Sequence, residues 1–334
     1  MKAILWTNYG PPEVLRLGEV EKPMPKDDEV LIRVHAATAM AGDCEMRRLQ
    51  LPMYLGLPLR LYVGVRRPTR ITIPGMELAG EIEAVGGAVR HFQVGERVFG
   101  ISGFRMGAYA EYICLPIEPD ETTGALAKIT GKLSYAEAAA IPVGGSEALH
   151  FLRRANLRGG EEILINGAGG SIGTFAVQLA KLYGASVTAV DSTGKLEMLR
   201  SIGADQVIDY TREDFTRGGE RYDVIFDVVG KSPFGRSVRA LKENGRYLLA
   251  NPHVSHLARG RWVTMTSNKR VITGTASYRS EDLMELQELI ETGKLRVVID
   301  RRYPLEQAAE AHRYVETGAK KGGVVIMVDD TVSI

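Results

Sequence analysis

One stretch constrains this chain more than any other. Ile163 to Leu179 reads ILINGAGGSIGTFAVQL, an apolar β-branched run joined to a helical run through small residues. A strand-to-helix turn that receives a dinucleotide pyrophosphate needs a small residue at the tight bend. It needs a glycine where backbone meets phosphate, and another where helix and strand pack closely. Ala168, Gly170 and Gly173 stand at those places. Gly167, Gly169, Ser171 and Ile172 fill out the cradle. The helix that follows turns free N–H groups and the positive end of its dipole to the same spot.

A glycine pattern alone is weak evidence, and its context adds the weight. Asp191 closes the next strand, 21 residues after Gly170. A ribose-binding carboxylate is expected at about that separation, about 20 residues on. Such an acid accepts from the ribose hydroxyls and repels a 2′-phosphate, which favours NADH over NADPH; Lys195 partly offsets this. Asp191 also suits a helix N-cap, and the two roles are compatible.

Around the turn, strands and helices alternate. Glu161–Ile165, Ser186–Val190, Gln206–Asp209, Tyr222–Val229 and Gly245–Ala250 read as strands; Thr174–Tyr183, Lys195–Ile202 and Phe234–Leu241 read as helices. That alternation predicts βαβ units and a parallel sheet with helices on both faces. The first third differs. Lys2–Trp6, Val30–His35, Glu77–Val85, Glu96–Gly100 and Ala108–Leu115 read as short strands separated by glycine turns. They suggest an antiparallel barrel or sandwich. Ser134 with Glu137 makes a capping-box signature for a helix over 134–140. Towards the C-terminus, helices over Glu281–Thr292 and Leu305–Thr317 and a strand over Gly323–Val328 are expected.

Composition narrows the setting. Forty-two basic and 41 acidic residues leave a net charge of +1, so no nucleic-acid partner is expected. No run reaches the roughly 18 apolar residues of a transmembrane helix. Two cysteines, Cys44 and Cys114, are too few for a disulfide framework and point to the cytoplasm.

Taken together, several motifs resemble the medium-chain dehydrogenase/reductase superfamily across nearly the whole chain. They are PGMELAG (74–80), VGERV (94–98), GAYAEY (107–112), AAAIP (138–142), NGAGGSIG (166–173), GAD (203–205) and KKGGVV (320–325). The likeness is greatest to the zinc-independent branch of quinone oxidoreductases related to zeta-crystallin and of enone reductases. The resemblance implies a GroES-like β-barrel catalytic domain over 1–127 and 274–334. It implies a Rossmann dinucleotide-binding domain over 128–273, an active-site cleft between the two, and a homodimer.

The zinc-dependent members of that superfamily place a Cys, a His and a Cys or Asp where this chain has Met40, Met76 and Gly144. Thioethers and a glycine do not hold Zn²⁺, so no metal is expected. Cys44 is one residue past the retained Asp43, off the ligand position, and reads as a packed small residue. Without a Lewis acid, developing charge has to be met by hydrogen bonds. Activated C=C bonds and quinones demand less polarisation than simple ketones.

The resemblance carries Asp43 to a position beside the nicotinamide, Tyr210 to the adenosine ribose or phosphate, Asn251 to the place where the chain crosses under the nicotinamide, and Val228 to Gly230, with Val229 among them, to the ribose. Glu147 stands where relatives often place a Thr facing the carboxamide, with Ser146 as the nearby hydroxyl. Met46 to Ile73 is longer than in the relatives and rich in leucine, with Tyr54, Tyr62, Arg66, Arg67 and Arg70. It reads as a lid with Tyr54 or Tyr62 as donor, an oligomer contact, a peripheral lipid-surface patch, or a packed loop. The expected activity is hydride transfer from NAD(P)H to a small quinone or α,β-unsaturated carbonyl. An alcohol dehydrogenase and a non-catalytic cofactor-binding adaptor are the alternatives.

Overall fold

The computed structural model describes residues 1–49, 53–117, 124–274 and 276–329, the side chains of 53–55 excepted. The chain divides into two units. One comprises Met1–Val143, Tyr278–Thr292 and Ile299–Ile334; the other comprises Gly144–Ser277 and Gly293–Val298.

In the first unit the strands are β1 (Lys2–Trp6), β2 (Leu15–Glu19), β3 (Glu29–Thr38), β4 (Glu77–Val85), β5 (Arg97–Ile101), β6 (Tyr112–Pro116) and β7 (Ala125–Lys128). β1 and β2 pair antiparallel. β3 is the spine: every residue but Arg33 is buried. One edge of β3 lies along β4, while β6 takes its N-terminal half. Ala3, Trp6, Ile32, Leu78, Val98 and Tyr109 lie among the buried residues here. The expected capping box forms: Ser134 Oγ accepts the Glu137 N–H at 3.3 Å, and Glu137 accepts the Ser134 N–H at 3.1 Å.

The second unit holds β8 (Glu162–Asn166), β9 (Ser186–Asp191), β10 (Gln206–Asp209), β11 (Tyr222–Asp227), β12 (Leu241–Leu249) and β13 (Arg270–Thr273). All pair parallel, in the order β10-β9-β8-β11-β12-β13. Counted from β8, that is the 3-2-1-4-5-6 order of doubly wound dinucleotide-binding sheets. Ile163, Leu164, Ile165, Val224, Ile225 and Phe226 are fully buried, the continuous apolar run of a strand covered on both faces. The order reverses between β8 and β11, and ligands of such sheets bind outside the strand ends at that point.

The chain then returns to the first unit with β14 (Ile299–Pro304) and β15 (Gly323–Met327). The sheet path is β14-β15-β3-β4-β5-β7, with β6 beside β3. It is an open path: no ladder among the described residues closes it into the expected barrel. In the first unit β2, β7 and the helices Ala41–Arg48 and Met53–Val63 have no counterpart in the sequence reading; in the second unit β13 and the helix Val254–Thr266 likewise have none. The helix exposes Leu257, Trp262 and Met265, so it lacks the one-sided apolar stripe that betrays a surface helix.

Candidate active site

The second unit builds the cofactor cradle from β8 outward. Gly167 follows Asn166 at φ +83°, a conformation glycine adopts without strain. Its N–H and that of Ala168 both donate to Val190 O, at 3.0 and 3.2 Å, fastening the turn to β9. A Cβ on Gly173 would collide with backbone atoms of Gly167 and Ala168. That is the close helix–strand approach for which the third glycine was assigned. The helix Ser171–Leu182 begins its own bonding with Thr174 N–H to Gly170 O at 3.0 Å. The N–H groups of Ile172 and Gly173 precede that bond and have no intrahelical acceptor. Positive φ, absent Cβ atoms and unmatched donors at one helix start fit a dinucleotide pyrophosphate.

Asp191, at the end of β9, has both oxygens engaged. Oδ2 accepts the Gly169 N–H at 2.8 Å; Oδ1 accepts the Ser192 N–H at 2.8 Å and lies 3.0 Å from Lys195 Nζ. An ionised carboxylate offers about four lone-pair sites, so room for ribose hydroxyls remains. Tyr210 is exposed, and its N–H donates to Asp191 O at 3.2 Å. Val229 is half exposed, with its side chain against Gly167. Asn251 donates from Nδ2 to Val228 O at 2.8 Å. Thus the loop Gly167–Ile172, Asp191 and Lys195 form one group, and Val229 with Asn251 sit at the β11 end. Glu147 is half-buried on the helix Pro142–Ala155, next to Ser146, whose buried Oγ has no partner among the described residues.

Asp227 escaped the sequence reading. It is fully buried at the end of β11. It accepts from Asn166 Nδ2 at 2.9 Å, Gly230 N–H at 2.9 Å, Tyr247 Oη at 3.1 Å, and both the N–H and hydroxyl of Ser232. It therefore pins the end of β8 and the turn 228–232 to one anchor. An acid ending an apolar strand was the available signal.

Gly144 gains a second meaning. The resemblance sets it where zinc-dependent relatives carry a metal ligand. In the fold, a Cβ there would lie 2.9 Å from Ser171 O and 3.3 Å from Phe175, so glycine is what lets two helices meet at the cradle.

The first unit holds a buried polar cluster around Asp43, the third residue of the helix Ala41–Arg48. Asp43 Oδ2 accepts the Met40 N–H at 3.0 Å and the Tyr109 hydroxyl at 3.3 Å. Oδ1 is buried without a partner among the described residues. Burial pushes this carboxyl up to about 7; the two hydrogen bonds oppose the rise and the Glu77 charge adds to it. Burial raises Glu77 to about 7 as well, against the Thr38 hydroxyl, the Val143 N–H at 2.6 Å and the Lys320 charge.

Behind Asp43, Tyr109 Oη lies 3.0 Å from His312 Nε2, and His312 Nδ1 lies 3.0 Å from Arg47 Nη1. A guanidinium only donates, so Nδ1 accepts and the ring proton sits on Nε2, directed at Tyr109. Burial, with help from Arg47, lowers His312 to about 3 and keeps it neutral. His312 shares the apolar face of its helix with Ala308, Ala311 and Val315. A polar residue at that spacing must find partners inside the core. Cys44 is buried 3.5 Å from His312 Nδ1, and burial holds its thiol up at about 12, a packed and inert group.

Tyr62 packs against the first unit's core with the Arg70 guanidinium 4.5 Å over its ring. The Tyr54 side chain lies outside the described residues. Met40 and Met76 occupy two of the ligand positions. Among the described residues, no three His, Cys, Asp or Glu side chains are grouped to hold a metal.

Comparison with known proteins sets this geometry in context. A family model described as an alcohol dehydrogenase GroES-like domain matches residues 26–120, and one described as a zinc-binding dehydrogenase matches 202–326. The 2-methylene-furan-3-one reductase of Solanum lycopersicum is 35% identical, over 98% of this chain and 79% of its own length. The NADPH-dependent alkenal/one oxidoreductase, chloroplastic, of Arabidopsis thaliana is 33% identical, again over 98% and 79%. The structure of the quinone oxidoreductase from Coxiella burnetii superposes with a TM-score of 0.87 at 31% identity, over 98% of this chain and 99% of that one.

Proposed function

The chain belongs to the medium-chain dehydrogenase/reductase superfamily, in its quinone and enone oxidoreductase branch, and from that premise we propose that it reduces a quinone or an α,β-unsaturated carbonyl with NAD(P)H and without catalytic zinc. The observation that carries this reading is the pairing of an intact dinucleotide cradle at Gly167–Gly173 with Met40, Met76 and Gly144 at the zinc-ligand positions. Thioethers and a glycine cannot bind a hard-to-borderline cation against water.

Bound at the cradle, the dihydronicotinamide supplies the hydride. The chain's own residues do the rest. The N–H groups of Ile172 and Gly173 receive the pyrophosphate. Asp191 accepts from the adenosine ribose and tilts the choice towards NADH, while Lys195 beside it reduces that tilt. Val229 and Asn251 shape the nicotinamide end, and Glu147 or Ser146 meets the carboxamide. Asp43, close to 7, would hold a proton at Oδ1 near neutral pH, give it to the anion left on the substrate by hydride addition, and regain one from water. The Tyr109–His312–Arg47 chain fixes its orientation. Both cysteines are free, which suits a reducing cytoplasm. A homodimer is the expected assembly. β13, the last strand of its sheet, and the exposed Trp262 and Met265 on the neighbouring helix are its surface.

The test is an NADH and NADPH oxidation screen over quinones and enones, with metal analysis of the same preparation. Turnover without bound zinc is expected. Stoichiometric zinc with alcohol oxidation would overturn the reading, and so would tight cofactor binding with no turnover on any member of the panel.

A further inference from the structure

The helix Met53–Val63, with sequence MYLGLPLRLYV, is apolar but for Arg60. Its inner face is accounted for: Leu59 and Tyr62 pack against the first unit's core, and Val63 is fully buried. The segment is also tied down beyond its own turns. Tyr9 donates its hydroxyl to Gly64 O at 2.5 Å, and the N–H groups of Thr69 and Arg70 both reach Val63 O at 3.0 Å. The outer face is not accounted for. Leu57 is 52% exposed, Leu61, one turn on, is 67% exposed, and Val65 just past the helix is 57% exposed. An outer helix face of exposed leucines opposite a packed inner face calls for an apolar phase to cover it.

Charge identifies that phase. From Met46 to Met76 there are six arginines and no aspartate or glutamate, in a chain whose total balance is only +1. Two of the six are spent internally: Arg47 and Arg48 both bridge to Glu316. Arg60 lies over the Tyr9 ring and donates to Val65 O at 3.2 Å. Arg66, Arg67 and Arg70 remain exposed beside Leu61 and Val65, with no carboxylate partner among the described residues. Exposed leucines rimmed by guanidinium groups that have no carboxylate partner among the described residues complement acyl chains below an anionic headgroup layer. No helix of the described residues is long and apolar enough to cross a bilayer, so the contact is peripheral.

We propose that the outer face of the helix Met53–Val63, with Arg66, Arg67 and Arg70, docks this protein on an anionic lipid surface.

The full chain is sedimented with vesicles of phosphatidylcholine alone and of phosphatidylcholine with phosphatidylglycerol. Partition onto the anionic vesicles is expected to be about tenfold or more above the neutral ones, and to weaken as salt rises. Arg66→Glu with Arg67→Glu reduces it to the neutral level, while Arg66→Lys with Arg67→Lys retains it. Leu57→Ser with Leu61→Ser lowers it at unchanged charge and leaves the mass by light scattering unchanged. Equal partition onto both vesicle types overturns the proposal. A fall in mass for the leucine variant with unaltered lipid binding also overturns it, and assigns the face to a second copy of this chain.

Discussion

Lys195 Nζ lies 3.0 Å from Asp191 Oδ1, with both side chains less than one-tenth exposed. On the proposed reading this carboxylate would meet the adenosine ribose, and the two side chains would then set the cofactor choice jointly. Lys195→Ala leaves Asp191 unbalanced against a 2′-phosphate. We expect the NADH preference to rise about tenfold, the worth of one charge-assisted bond near 1.5 kcal/mol. Asp191→Ser should raise NADPH affinity instead. Fluorescence titration with both cofactors decides; equal weakening of both forms by Lys195→Ala would remove Lys195 from the choice.

Asp43 and Glu77 make stability pH-dependent. Their ordinary values are 3.8 and 4.5, and burial lifts both to about 7. The unfolded chain therefore ionises them first. Their contribution is fully present below about pH 4 and is lost as pH rises through about 7, by up to about 4 kcal/mol for a fully realised shift at Asp43. Asp43→Asn and Glu77→Gln should each flatten this fall in thermal melts taken from about pH 5 to about pH 8. Asp43→Asn should also lower kcat and erase a kinetic limb near pH 7. An unchanged pH–rate profile would remove Asp43 as the proton-holding group.

Gly144→Cys restores a ligand type at a zinc position, yet the fold has no room for it. Its Cβ would press on Ser171 O at 2.9 Å. Destabilisation of about 1–3 kcal/mol is expected, with weaker cofactor binding and no gain of bound zinc. Denaturant melts and metal analysis of the variant test this.

Asp227→Ala strands the buried donors of Asn166, Gly230, Ser232 and Tyr247. A loss of roughly 3 kcal/mol is expected from unsatisfied groups. Asp227→Asn should recover part of it and bind cofactor less tightly than the unaltered chain, because the turn 228–232 is held less firmly. Calorimetric titration with NADH is the measure.

Trp262→Glu places a charge on the exposed face beside β13. If the dimer forms there, light scattering should show a monomer with cofactor affinity retained. A dimer of unchanged stability would place the assembly elsewhere.

The cofactor unit was legible because its signals are local. Gly167 to Gly173 and Asp191 lie within one βαβ stretch, and backbone sterics and strand–helix packing fix the shape of that turn over a short span of chain. The helix Val254–Thr266 was not legible, since exposed Trp262 and Met265 break the one-sided pattern that marks a packed surface helix. The cluster at Asp43 was half legible. The acid itself could be singled out by resemblance. Its partners Tyr109 and His312 come from positions 66 and 269 residues further along the chain.

The sequence by itself determined the glycine-rich strand-to-helix turn and the alternation that makes a parallel sheet, because each depends on residue type and short-range spacing; the absence of zinc-ligand types at Met40, Met76 and Gly144 was visible only through the resemblance to a family. Only the tertiary structure decided which donors reach the buried oxygens of Asp43, Glu77 and Asp227, and that Gly144 is a point of helix contact. Those matters turn on desolvation and distance between segments far apart in the chain, and neither has a period that a sequence can display.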